Sequence, residues 1–287
     1  MEKIFETHAH LDYFAKDNNL NVFERVVEEI CLKCGIEKIV IPPISFESNW
    51  TISRLISESR CSNNIYQAIG LHPREARNNV CTKRKINEIS KLINESEKVV
   101  ALKTGLDFSS QKMQEVEKRH QIEWLERLVV LAAKNKLSVV LHIREAWDVF
   151  LDIWKVIINR LDNYGLMYPK TEIHCFNQVD YTTTEELIKN KVAYLGVGGK
   201  IFKDEKLREV VKYIDIKHIL LETDSPFLTP DEYEVPEFLT GYFDIKKNIN
   251  TPGSLILIAK EIASIRHESL EYVISETYKN GCEFFGV

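Results

Sequence analysis

Two histidines at the end of the first apolar segment have the spacing of a metal-binding pair. Residues 4–12 read Ile-Phe-Glu-Thr-His-Ala-His-Leu-Asp, so His8 and His10 directly follow a run with strand character. Residues two apart in a strand project from the same face. The two imidazole rings are therefore predicted to lie side by side, where their nitrogens can ligate one ion. An isolated pair is more often part of an ordinary edge strand, so the assignment depends on the later strands.

Similar residues recur after later strand-like segments. Lys103 ends the fourth predicted strand, His142 the fifth, His174 the sixth and Asp224 the eighth, while His72 follows the third. In a barrel of parallel strands, these ends converge at the face that carries the chemistry. Five of the eight histidines share this predicted location, which favours a metal site over scattered loop histidines.

The elements that must position these residues alternate along the chain. Strands are predicted at 3–7, 38–42, 65–70, 99–102, 138–142, 171–174, 193–197 and 218–222. Helices are predicted at 22–34, 50–59, 83–95, 114–135, 145–159, 184–190, 205–213, 254–264 and 271–285. This alternation predicts an α/β fold of parallel units, either a closed barrel or an open doubly wound sheet. No Gly-x-Gly-x-x-Gly follows an early strand, which counts against a dinucleotide-binding fold.

Length and composition fit a single enzyme-sized domain. The chain has 287 residues, of which 44% are hydrophobic and 28% charged, and one α/β barrel needs about 250 residues. We expect no membrane span and no signal peptide, because no long apolar run is present. The net charge of −5 gives no overall attraction for nucleic acid. A polyanionic substrate would therefore need metal ions or a local basic patch.

The cysteines do not indicate a zinc or redox site. Cys31 and Cys34 form a C-x-x-C pair at the end of a predicted helix, and no second pair lies nearby. A zinc ribbon needs two such pairs, and a redox pair would begin a helix. We expect reduced thiols and a cytoplasmic location.

Six short motifs occur in order along the chain: Thr-His-Ala-His-Leu-Asp at 7–12, Gly-Leu-His-Pro at 70–73, Thr-Gly-Leu-Asp-Phe at 104–108, Leu-His-Ile-Arg at 141–144, His-Cys-Phe at 174–176 and Leu-Glu-Thr-Asp-Ser-Pro at 221–226. Together they resemble the motifs of the TatD family of metal-dependent deoxyribonucleases, within the amidohydrolase superfamily. The resemblance implies a single-domain (β/α)8 TIM barrel over residues 1–287. It also implies hydrolysis of DNA phosphodiesters, often from a 3′ end, with one or two divalent ions. Mg²⁺ is the first expectation, with Zn²⁺ or Mn²⁺ as alternatives.

The resemblance also implies roles for individual residues. His8, His10 and Asp224 would hold one metal, and His142 and His174 a second, with Asp224 as the general base. Two ions about 3.5–4 Å apart can activate a water and stabilise the attacking and leaving oxygens together.

Substrate binding would fall to residues around these metals. By the resemblance, His72 and Arg144 would bind the substrate phosphate, because the planar guanidinium of arginine matches phosphate oxygens. Lys200 and Lys203 follow the seventh strand, where barrels often bind phosphate, although an ordinary solvated loop is the alternative. The implied substrate is DNA, single-stranded or at 3′ ends.

Lys103 departs from the family, which has a metal-bridging glutamate at this place. An ammonium has no lone pair and would repel two dications. In one reading, CO₂ carboxylates the lysine and supplies a bridging carbamate, so that Lys103 is itself a metal ligand. In a second, the ammonium occupies one metal position. In a third, the alignment slips and a nearby carboxylate such as Asp107 replaces it.

A second departure concerns the irregular segment 226–252. Residues 231–237 are acidic where the family has a basic run, which would weaken contact with a phosphate backbone. The segment is either a loop over the barrel mouth or a surface excursion. Two alternatives to a nuclease therefore stay open. One is a small-molecule amidohydrolase, such as a lactonase or phosphotriesterase, with carboxylated Lys103. The other is a catalytically degenerate subunit that acts through protein partners, for example in a defence assembly.

Overall fold

The strands close into a barrel. The computed structural model describes residues 2–177, 179–239 and 249–287. Eight parallel strands neighbour one another in chain order: β1 Ile4–Glu6, β2 Ile36–Ile41, β3 Ile65–Gly70, β4 Val99–Asp107, β5 Ser138–Arg144, β6 Thr171–Ile173, β7 Tyr194–Val197 and β8 Ile219–Leu221. The main-chain nitrogen of Thr7 donates to the carbonyl oxygen of Leu221 at 3.0 Å, joining the ends of β1 and β8. The barrel prediction is confirmed, and the open sheet is excluded.

Helices cover the outside of the barrel. The described ranges contain α1 Leu20–Arg25, α2 Ser48–Glu58, α3 Pro73–Ala76, α4 Lys83–Glu95, α5 Glu115–Asn135, α6 Trp147–Asn163, α7 Tyr181–Lys189, α8 Glu205–Tyr213, α9 Leu255–Arg266 and α10 Leu270–Phe285. None of these helices is long and apolar enough to cross a membrane. Helices and strands alternate along the chain, so the helices form an outer layer around the barrel of strands.

The predicted helix over 22–34 is wrong in type. The α-helix ends at Arg25, and the chain continues through π-helical turns, Val26–Cys31, and a 3₁₀ turn, Leu32–Cys34. The buried residues of the π-helical segment are Val26, Val27, Ile30 and Cys31. Buried pairs four residues apart fit an α-helix as well as the wider turn, so the apolar pattern does not distinguish the two. Burial raises the pKa of the Cys31 thiol well above its ordinary value, which makes this C-x-x-C thiol unreactive.

Apolar side chains close the amino-terminal end of the barrel interior. Phe5, Val140 and Leu220 belong to a buried cluster with the aromatic residues at the end of α10. The rings of Phe5 and Phe285 lie 5.5 Å apart between centroids. Polar side chains inside the barrel are thereby directed to the opposite end, where the strands' carboxyl ends meet.

Strand β4 runs further than the sequence indicates. The prediction ends at 102, whereas β4 continues to Asp107 and stays paired with β5 up to Arg144. Gly105 lies opposite His142 in this extension, with φ +151°. As a result, His142 lies within β5, with a register fixed by pairing on its β4 side.

We expect Gly105→Ala to be costly because a Cβ there would lie 2.0 Å from the carbonyl oxygen of His142. The expected loss in the free energy of unfolding is at least about 2 kcal/mol, measured by urea denaturation. Gly165→Ala is the matched control: its φ is +62°, but nothing lies within 4 Å of its added Cβ. Equal losses in the two variants would show that the collision with β5 is not the cause.

Candidate metal centre

The predicted site residues converge at the carboxyl ends of the strands. A cavity of about 410 Å³ opens there. Its walls include His10, His72, His142, Arg144, His174, Lys200 and Asp224. His8 and Lys103 are fully buried next to this group. All of the sequence-predicted site residues thus lie at one end of the barrel.

Asp224 faces the two histidines that follow β1. Its Oδ1 atom lies 3.7 Å from Nε2 of His8 and 3.5 Å from Nε2 of His10. Nδ1 of His10 lies 3.0 Å from the carbonyl oxygen of Pro42, which fixes the ring with Nε2 toward the aspartate. One ligand atom each from His8, His174 and Asp224 lie within 4.8 Å of one another. This arrangement can hold a divalent ion.

The turn after β8 orients Asp224. Asp224 has φ +54°, and its main-chain nitrogen donates to the carbonyl oxygen of His8 at 2.9 Å. The main-chain nitrogen of Thr223 donates to Oε1 of Glu6 at 2.9 Å. The side-chain amide of Asn250 donates to the carbonyl oxygen of Thr223 at 3.2 Å. These hydrogen bonds to Thr223 and Asp224 therefore hold the aspartate in an otherwise unfavourable backbone conformation.

His142 and His174 form a second pair. Nδ1 of His142 lies 2.9 Å from Nε2 of His174. The rings of His8 and His174 stack at 3.9 Å between centroids. Burial lowers the pKa values of His8 and His174 well below the ordinary value for histidine. Both rings are therefore neutral at neutral pH, which is the form that ligates a metal.

Lys103 lies against a candidate ligand. Its Nζ atom lies 3.1 Å from Nε2 of His8. Burial lowers the pKa of Lys103 to about 8. Lys103 lies opposite Gly70 of β3 and Val140 of β5, so the pairing of β4 with its neighbours is regular at this residue. Asp107 lies elsewhere, with Oδ2 3.5 Å from Nε2 of His142, which argues against its replacing the bridging group beside His8.

Two buried glutamates were missed by the sequence analysis. A ring nitrogen of His8 and one carboxylate oxygen each of Glu172 and Glu222 lie within 4.8 Å of one another. Among the described residues, both oxygens of Glu172 and Oε2 of Glu222 have no hydrogen-bond partner. Burial raises the pKa of Glu172 to about 8, and the charge of Lys103 opposes this rise. Strand periodicity could have found both, since they precede His174 and Asp224 by two residues.

The donor set fits a divalent ion. Imidazole nitrogens with a carboxylate are ligands for Zn²⁺ and Mn²⁺, and carboxylates also suit Mg²⁺. Within the described chain, Nε2 of His142 and Nδ1 of His174 are buried without a hydrogen-bond partner. Buried polar atoms without partners are costly, and a bound ion or water would satisfy them.

Basic side chains surround the mouth of the cavity. Arg144 and Lys200 line it, as does Arg74, which the sequence analysis missed. Lys203 instead pairs with Asp231 at 2.9 Å, so one acidic residue of segment 231–237 is neutralised. Phe227 and Leu228 line the cavity, and residues 240–248 of the segment lie outside the described residues. The start of the segment therefore contributes to the mouth.

Comparison with known proteins places the chain in a family. The model of TatD related DNase matches residues 5–286. An uncharacterized metal-dependent hydrolase, YabD of Bacillus subtilis, is 30% identical, with 99% of each chain covered. The 3′-5′ ssDNA/RNA exonuclease TatD of Cronobacter sakazakii is 26% identical over 88% of this chain and 87% of its own. The crystal structure of a hydrolase TatD family protein from Entamoeba histolytica is 21% identical, with a TM-score of 0.81 and coverage of 99% and 98%. This chain belongs to the TatD-related DNase family.

Proposed function

We propose that the protein is a metal-dependent hydrolase of phosphodiester bonds that acts as a 3′-5′ exonuclease on single-stranded DNA or RNA. The observation that carries the proposal is the proximity of the ligand atoms of His8, His174 and Asp224 at the wall of a cavity that Arg144 and Lys200 also line. Cationic and metal-binding groups that face one cavity suit an anionic ester. The named exonuclease relative supports the same substrate class.

The residues divide into ligands and a base. In a site with two ions, His8, His10 and Asp224 would hold one ion, and His142 and His174 would hold the second. A bound divalent ion lowers the pKa of its water and stabilises the charge that develops on the phosphate. Asp224 borders the cavity, so a carboxylate oxygen of this residue can accept the proton of the attacking water.

The substrate phosphate would be bound by the basic side chains of the mouth. The guanidinium of Arg144 can donate two parallel hydrogen bonds to phosphate oxygens. Lys200 adds a point charge on the same wall, and His72 lies 4.4 Å from His142 between ring centroids. These groups would fix the scissile bond above the ligand cluster.

We further propose that Lys103 acts as an ammonium and reduces the site to one bound ion. The contact between Nζ and Nε2 of His8 uses a nitrogen that a metal would need. Glu172 and Glu222 lie close by, and a carbamate on Lys103 would place a third acidic group among them. The lowered pKa of Lys103 favours reaction with CO₂, but these carboxylates stabilise the charged amine. A single ion held by Asp224, His10 and His174 would then remain, because Lys103 engages Nε2 of His8.

Removal of metal tests the hydrolase assignment. The protein is incubated with 5′-labelled single-stranded DNA and RNA, with EDTA and then with excess Mg²⁺, Mn²⁺ or Zn²⁺, and products are resolved on a gel. We expect no shortening in EDTA and stepwise 3′ shortening when a metal is restored. A blocked 3′ end serves as the control substrate. Absence of hydrolysis with every metal would contradict the proposal and favour the degenerate subunit, whereas hydrolysis of lactones or phosphotriesters alone would favour the small-molecule hydrolase.

A further inference from the structure

A second cavity lies beside the metal cavity and has no role in the chemistry above. It has a volume of about 290 Å³. Its walls are formed by Arg74, Arg77, Asp107, Ser109, Ser110 and Met113. Arg74 lines both cavities, so the two spaces share one guanidinium. The lining is rich in hydrogen-bond donors.

The acidic residue of this cavity is already engaged. Nε of Arg74 donates to Oδ2 of Asp107 at 2.8 Å. The main-chain nitrogen of Ser109 donates to Oδ1 of Asp107 at 3.0 Å, and the hydroxyl of Ser109 also donates to Oδ1. These bonds use both carboxylate oxygens and hold Arg74 at the boundary of the two cavities. A guanidinium has five N–H donors, so donors beyond Nε are left for an anion.

Arg77 supplies a donor without an acceptor. Its Nε atom is buried and has no hydrogen-bond partner among the residues that the structure describes. The ring of His120 binds the carbonyl oxygen of Arg77 at 2.8 Å and so anchors the main chain. A buried donor that has lost its hydrogen bond to water without gaining another is unfavourable. The Arg77 guanidinium makes no ion pair with a described residue, so its terminal nitrogens are left for an anion in the cavity.

We propose that the second cavity binds a further backbone phosphate of the nucleic-acid strand whose scissile phosphate occupies the metal cavity. This inference rests on the proposed function and adds a subsite to it. Arginine pairs match phosphate oxygens through bidentate hydrogen bonds. The shared Arg74 can contact both phosphates. Two adjoining anion sites suit a ligand with repeated phosphates better than a compound with one phosphate, and they supply the local basic patch that a chain of net charge −5 needs.

The test compares long and short ligands on Arg77 variants. Full-length protein with its bound metal is titrated into fluorescein-labelled phosphorothioate decathymidylate, which resists cleavage, and anisotropy is measured over a range of salt. Arg77→Gln removes the charge, and Arg77→Lys keeps the charge but not the planar fork. Arg84→Gln is the matched control, because the exposed side chain of Arg84 on α4 pairs with Glu88. Thermal melting verifies that each variant is folded.

We expect Arg77→Gln to weaken decathymidylate binding about tenfold and to lower the slope of log K against log salt by about 0.7. Arg77→Lys should recover the slope but only part of the affinity. Competition by thymidine monophosphate should be unchanged in every variant, since it fills only the metal cavity.

Three outcomes would overturn the subsite. Arg77→Gln could bind decathymidylate as Arg84→Gln does, or it could weaken binding of the monophosphate equally, which would assign the cavity to small phosphates. If the wild-type protein hydrolyses single-stranded DNA, either result removes the subsite and leaves the proposed function intact. If the wild-type protein neither binds nor hydrolyses the strand, both fall together.

Discussion

Asp224→Asn is expected to lower the rate of hydrolysis by at least about 10³-fold. Asparagine keeps the shape of the side chain and tolerates φ +54° better than most residues. In the proposed mechanism, it removes the negative charge that would bind the ion and the basic oxygen that would accept the water proton. Asp224→Ala should abolish hydrolysis as well, but alanine adds strain at a positive φ. Initial rates on labelled single-stranded DNA, together with metal content, measure the effect.

Asp231→Asn is the control for this prediction. Asp231 pairs with Lys203 on the exposed surface, so its loss changes the charge by the same amount away from the cavity. It should leave the rate within about twofold, since exposed ion pairs contribute little. Full activity of Asp224→Asn would remove Asp224 as the base and would require another acceptor for the proton.

Lys103→Glu is expected to raise the bound metal from about one ion per chain to about two. The ammonium that competes with metal for Nε2 of His8 would be gone, and the new carboxylate could bridge two ions. Hydrolysis should then be preserved or increased. Because the new carboxylate would join two others that are already buried, the variant should be less stable without metal. Metal should therefore raise its melting temperature more than it does for the wild type.

Lys103→Met separates loss of the ammonium from gain of a carboxylate. Methionine fills similar volume without charge, and we expect it to bind no second ion. Isothermal titration calorimetry and metal analysis provide readouts apart from activity. A Lys103→Glu protein that binds less metal and loses activity would show that the lysine has a role of its own in the site.

The barrel was predictable because its signals are local. Strand β3 and helices α4 and α8 begin and end where the apolar pattern predicts, and β7 and α10 differ by one residue at one end. The π-helical segment was not predictable from a 3.6-residue period. The extension of β4 was missed because a glycine normally weakens a strand. At Gly105, the missing side chain instead allows β4 to approach β5.

The site was predictable where a single residue could be recognised from its position at a strand end. The positions of His8, His10 and Asp224 at strand ends follow from alternation, and the structure brings them together. Glu172 precedes His174 by two residues and could have been found by the same alternation, whereas no local pattern singles out Arg74. Glu172 matters through Lys103, and Arg74 matters because Asp107 orients it between two cavities. Such pairings arise from the closed barrel and have no local pattern.

The central claim is that the histidines and Asp224 bind a cation at the barrel's carboxyl end. An anomalous difference map from crystals soaked in Mn²⁺ tests it most directly, because it locates the ion independently of activity. We predict a peak within coordination distance of Asp224 and at least two histidine nitrogens, with Lys103 unmodified beside His8. A cluster without any anomalous peak at saturating Mn²⁺ would contradict the claim, and density for a carboxylated Lys103 bridging two peaks would contradict the single-ion form of the site.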